Sequence, residues 1–169
     1  IDFSVSAQVT VGDIIDGWKE GYLDIHHINT GKGEAAFFML PDGTTLLVDA
    51  GATARPKPRV TDPKPDGSRT PGDWISRYIL HFLQNRPEKK LNYVLLTHFH
   101  DDHIGGIYPG LKTSKDGNFI LTGVTEVATV ISFDKIIDRS SPDYNYPQPL
   151  NADYIDNYTR FVKWNVANI

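Results

Sequence analysis

Three of the six histidines in this 169-residue chain fall within six positions, in the stretch Leu95-Leu96-Thr97-His98-Phe99-His100-Asp101-Asp102-His103-Ile104-Gly105-Gly106. Clustering this tight is a poor fit to histidines scattered over a surface. Just past an apolar strand, residues two apart point the same way, so His98 and His100 can reach one cation together. Asp102 and His103 then turn away from that pair and can hold a second cation nearby. Imidazole nitrogen and carboxylate oxygen without thiolate suit zinc, manganese or iron. Gly105 and Gly106 let the backbone turn sharply beneath the metals.

These side chains need a scaffold, and the flanking sequence describes one. Alternation predicts a strand over 22–29, short apolar runs predict strands over 35–40 and 44–49, and Pro41-Asp42-Gly43 makes the turn between the last two. Together they read as an antiparallel meander. A helix is expected over 74–85, capped by Asp73. Trp74, Tyr78, His81 and Phe82 lie near one face of it, with Ile75, Ile79 and Leu83 beside them. A buried strand over 91–96 delivers the histidine loop. Residues 122–131 read as a helix with a strand as the alternative, 135–139 as a short strand, and 152–168 as an amphipathic helix. The order implies a mixed α/β sheet. Two loops stand out: 52–73, with five of the 11 prolines, and the Pro/Tyr-rich 140–150.

The motif His98-x-His100-x-Asp102-His103, with Thr97 before it and Ile104-Gly105-Gly106 after it, resembles the signature of the metallo-β-lactamase superfamily. A second segment agrees. Asn29-Thr30-Gly31-Lys32-Gly33-Glu34-Ala35, the Pro-Asp-Gly turn and Leu47-Val48-Asp49-Ala50-Gly51 resemble the opening of the ComEC-like (DNA-uptake competence) branch, which more often has Asp, Gln and Asp at positions 29, 32 and 34. The resemblance implies an αβ/βα sandwich with two zinc sites. His98 and His100 would serve the first, Asp102 and His103 the second, and Asp49 would steady the metal loop. From its position alone, Asp49 reads equally as a turn residue at a strand end. The family's further ligands lie downstream, yet no histidine follows His103, and Asp116, Glu126, Asp134, Asp138, Asp143, Asp153 and Asp156 sit in no ligand motif. Residues 1–169 therefore read as one incomplete domain, its N-terminal αβ half.

The resemblance implies a metal-dependent hydrolase that presents a metal-bridged hydroxide to an ester, amide or phosphodiester, with Asp102 orienting that nucleophile. Two other classes stay open: a non-catalytic half-domain or metal-binding interaction module, and a metal-dependent oxidoreductase. With no cysteine in the chain, a thiol nucleophile and Cys-ligated zinc are excluded. A net charge of −4 gives no support to a whole-surface nucleic-acid binder, although the branch resemblance leaves nucleic acid open beside small-molecule substrates. No apolar run is long enough to span a bilayer. The first residue is Ile1, which suggests processing or trimming. The compartment stays open between cytoplasm and export after signal removal. A half-sandwich should also expose an apolar sheet face and self-associate, or take up its missing half.

Lesser candidates carry structural readings. His26 and His27 are adjacent on a strand and face opposite ways. His81 is expected to be packed, Gly31 and Gly33 form no phosphate loop, and Tyr144 and Tyr146 read equally as the rim of a substrate site and as packed or exposed loop aromatics. The loop 52–73 carries Arg55, Lys57, Arg59, Lys64 and Arg69 and is net +2, a basic rim that could steer anionic substrates.

Overall fold

The computed structural model describes residues 10, 12–53, 59–62 and 64–168. Its core is one five-stranded sheet in spatial order β1 (Asp24–His27), β2 (Ala36–Met39), β3 (Thr45–Val48), β4 (Leu91–Leu95) and β5 (Phe133–Ile137). The first three strands form the expected antiparallel meander. β3, β4 and β5 run parallel, so the sheet is mixed. Between β2 and β3 the chain reverses at Pro41-Asp42-Gly43, where Gly43 takes a φ of 84° and the Thr44 amide donates to Asp42 Oδ1 at 2.9 Å.

The crossovers are helical: α1 (Pro71–Phe82) joins β3 to β4, and α2 (Asp101–Ile104) and α3 (Gly123–Val130) lie between β4 and β5. α4 (Asp153–Ala167) follows β5. Register aligns His26, Phe37, Leu47, Val94 and Ile136 across the sheet. This row belongs to the face that packs with Ile75, Ile79, Val124, Val127, Tyr158 and Phe161 of the helices. The opposite face has no helical layer among the described residues. Ile25 is 51%, Tyr93 37% and Ile137 42% exposed there, and Phe38, Leu46, Val48 and Leu95 are half-buried.

Several expectations need correction. α1 starts at Pro71 with Thr70 as N-cap, because proline suits the first helical position. Asp73 sits inside the first turn, where Arg69 at 2.7 Å and Arg77 at 3.1 Å hold its carboxylate. The buried stripe of α1 is Ile75-Ile79-Leu83, which leaves His81 exposed rather than packed. The histidine loop contains one helical turn, α2. Residues 122–131 are helical, with Thr122 and Thr125 forming a reciprocal capping box.

Candidate metal centre

The site forms where β3 and β4 end side by side. Asp49 follows β3 with a φ of 58°, a left-handed conformation that aspartate tolerates better than most residues. It is fully buried and is the hub of the site. Oδ1 accepts the Thr97 amide at 2.8 Å, and Oδ2 accepts the Thr97 hydroxyl at 2.6 Å and His103 Nδ1–H at 2.7 Å. An ionised carboxylate can only accept, so His103 Nδ1 carries a proton, and in the neutral ring this leaves the lone pair on Nε2. That Nε2 stands 3.9 Å from Asp102 Oδ1.

Beyond Thr97 the chain is extended, and His98 and His100 point together: His98 Nε2 lies 3.1 Å from His100 Nδ1. Two nitrogens on one tetrahedral zinc, at about 2.0–2.1 Å each, would be about 3.3–3.4 Å apart. The pair is thus already spaced for a shared cation. Burial first, then the neighbouring imidazoles of His103 and His100, lower the His98 pKa and favour the neutral, ligating form.

α2 folds Asp102 back toward this pair. Ligand atoms of His98, His100 and Asp102 all lie within 4.8 Å of one another. Asp102 thus stands within reach of the first two histidines as well as of His103. The rings of His98 and His103 also sit 3.8 Å apart, so all four expected ligands form one knot.

Two glycines clamp the loop. The Asp102 carbonyl accepts the Glu34 amide at 2.9 Å, and a Cβ on Gly33 or on Gly51 would lie 2.2 Å from that oxygen. Gly105, at φ 107°, ends α2, and the Gly106 amide donates to the Ala52 carbonyl at 2.8 Å.

A model of the metallo-beta-lactamase superfamily matches residues 30–123, more than half of the chain. This chain belongs to the metallo-beta-lactamase superfamily. Comparison with curated proteins and with solved structures found no match. Superfamily members typically bind metal ions, and the N,N,O donor set of two imidazoles and one carboxylate from His98, His100 and Asp102 fits a divalent transition metal.

A cavity of about 350 Å³ opens beside His98 and His100, walled by Arg139, Asn151, Tyr154 and Ile155. Motif and spacing gave no signal for this wall: Arg139 follows β5, which pairs with β4, while Tyr154 and Ile155 stand in the first turn of α4. Asp138 anchors it by accepting the Tyr144 and Tyr158 hydroxyls and the Ser140 and Ser141 amides. Burial opposes the Asp138 charge, and these bonds outweigh it, so its pKa is lowered. Tyr144 is thereby a packed residue, whereas Tyr146 is 72% exposed. Of the basic loop, Arg55 and Lys57 lie outside the described residues, and Lys64 and Arg69 line a separate cavity. His26 sits among Phe37, Tyr78 and Phe82, and His27 lies on the exposed side near Glu34.

Proposed function

We propose that this domain is a metal-dependent hydrolase whose first cation is held by His98, His100 and Asp102, with His103 beside it on the second. The observation that carries the reading is the convergence of those donors, with His103 oriented by buried Asp49. A bound divalent cation, zinc foremost, with manganese or iron as alternatives, supplies Lewis acidity and activates water. The chain's own residues do the rest. Asp49 and Thr97 fix the loop, Asp102 offers a carboxylate to orient the attacking water, and the Arg139 guanidinium can receive an anionic group in the adjacent cavity. Arg139 favours phosphodiester or carboxylate substrates over neutral lactams, in keeping with the ComEC-like resemblance.

The reading includes a mate for the sheet. The exposed side chains of Ile25, Tyr93 and Ile137 on this face support a two-layer sandwich in which a second αβ half covers it and completes the metal ligands. The test is elemental analysis together with hydrolysis of a nitrophenyl phosphodiester, a nitrophenyl acetate and a chromogenic lactam. Residues 1–169 should hold at most one equivalent of zinc, and chelator or His100→Ala should abolish turnover. Turnover unaffected by both, or two tightly held equivalents, would refute the assignment.

A further inference from the structure

A histidine that binds a metal ordinarily gives its second ring N–H to a carboxylate or carbonyl, which fixes the ring. His103 has Asp49 for this. Among the described residues, no carboxylate or carbonyl is hydrogen-bonded to His98 or His100. His98 meets only the Thr97 hydroxyl at 3.2 Å and His100 at 3.1 Å. Their aim must come from another source.

Phe99 stands between them. Successive residues of an extended chain point to opposite sides, so burying Phe99, which is 3% exposed, turns both imidazoles outward on one side. The Phe99 ring packs on Tyr158 at 5.4 Å and on Tyr144 at 5.8 Å between centroids, within the range of favourable aromatic pairs. The Arg139 guanidinium carbon lies 5.7 Å from its centre. Both tyrosines are themselves pinned. Their hydroxyls donate to Asp138 Oδ2, at 2.8 Å from Tyr144 and 2.7 Å from Tyr158. Asp138 Oδ1 accepts the Ser140 and Ser141 amides at 3.0 and 2.8 Å. The end of β5, the 140–150 loop and α4 thus converge on one ring. A metal site needs its donors held to within about 0.5 Å, and a side chain locked by packing supplies that tolerance where hydrogen bonds do not. Rotation of the loop about its own axis would swing His98 and His100 away from Asp102 together.

We infer that Phe99, backed by the cluster of Asp138, Tyr144 and Tyr158, is a positioning residue that aims His98 and His100 at their shared cation. The inference rests on the metal reading proposed above, and gives to packing the task that Asp49 performs for His103.

The experiment measures zinc affinity of the full chain by competition with a chromophoric chelator. On the metal-free protein it also follows the nuclear Overhauser contact between the His98 and His100 rings. Phe99→Ala should bind zinc about tenfold more weakly or worse, the usual scale for loss of a group that orients a ligand, and should lose the ring contact. Phe99→Leu, which keeps an apolar side chain in the core, is the second variant should the first unfold; it should show the same changes to a smaller extent. Leu83→Ala, in the core at the end of α1, is the control for general destabilisation: it should lower Tm and leave zinc affinity and the ring contact as in the parent. His100→Ala tests the underlying reading. A parent that binds zinc no tighter than His100→Ala would overturn the metal reading, and the inference with it. A parent that binds through His100 while both Phe99 variants match it in affinity and ring contact would overturn the inference alone, as would an equal loss of affinity in Leu83→Ala.

Discussion

Replacing Asp49 separates its structural work from its orienting work. Its carboxylate takes three hydrogen bonds, two from Thr97 and one from His103, at 2.6–2.8 Å. Hydrogen bonds to a charged group contribute about 1.5–3 kcal/mol each, with overlap inside one network. Asp49→Ala strips all three, leaves the Thr97 amide unpaired and puts a less tolerant residue at φ 58°, so a loss of about 3–5 kcal/mol is expected. Asp49→Asn keeps the backbone conformation and one carbonyl acceptor for Thr97. Its NH₂ group faces His103 Nδ1, however, and a donor there drives the histidine proton to Nε2. The ring then presents N–H where a lone pair is needed. Metal affinity should fall about 10–100-fold, the usual cost of losing the group that orients a ligand histidine. The assay is imidazole ¹⁵N NMR on the metal-free protein, which reports the tautomer, followed by zinc competition with a chromophoric chelator. Asp49→Asn with His103 still protonated on Nδ1 and zinc affinity within twofold of the parent would refute the orienting role.

Other perturbations reach different parts of the molecule. Gly51→Ala sets a methyl 2.2 Å from the Asp102 carbonyl, so thermal unfolding should show about 1–3 kcal/mol of destabilisation and zinc affinity should fall with it. Charge on the open sheet face, as Tyr93→Lys with Ile137→Glu, should reduce self-association in light scattering; a parent chain that stays monomeric over a wide concentration range would count against a missing mate. Burial lowers the pKa of His26 and of His98 below the unfolded value near 6.5. The unfolded chain thus binds protons first, and stability should be full above about pH 7 and decline as pH falls through 6.5 toward the folded values. His26→Phe should flatten part of that slope in urea titrations from pH 8 to 5; an unchanged slope would show that His26 contributes none of it.

Local signals in the chain carry local structure well. The meander is legible because short alternating runs meet a Pro-Asp-Gly turn, and the metal cluster because its residues lie in one loop. Legibility ends where partners are distant in sequence. Asp73 looks like a helix cap by type, yet Arg69 and Arg77 claim it and Pro71 moves the helix start three residues earlier. His81 shares a stripe with Trp74 and Tyr78, but the core is met by Ile75, Ile79 and Leu83. No spacing rule reveals that Gly33 and Gly51 close on the Asp102 carbonyl.

Strand direction explains why these distant pieces meet. β3, β4 and β5 are parallel, so their C-terminal ends share one edge of the sheet, where ligands of open α/β sheets gather. Asp49 follows β3, the Thr97–His103 loop follows β4, and Asp138 and Arg139 follow β5. β2 runs against β3, so its N-terminal end reaches the same edge and brings Gly33 and Glu34 to the loop. Four chain segments thus converge through sheet topology alone. The histidine motif supplies metal donors, while the neighbouring strand ends supply the carboxylate that orients them, the glycines that admit them and the cation beside them. A substitution that shifts the β4–β5 register should therefore displace Arg139 while leaving the Asp49–His103 bond intact, altering substrate charge preference before metal affinity.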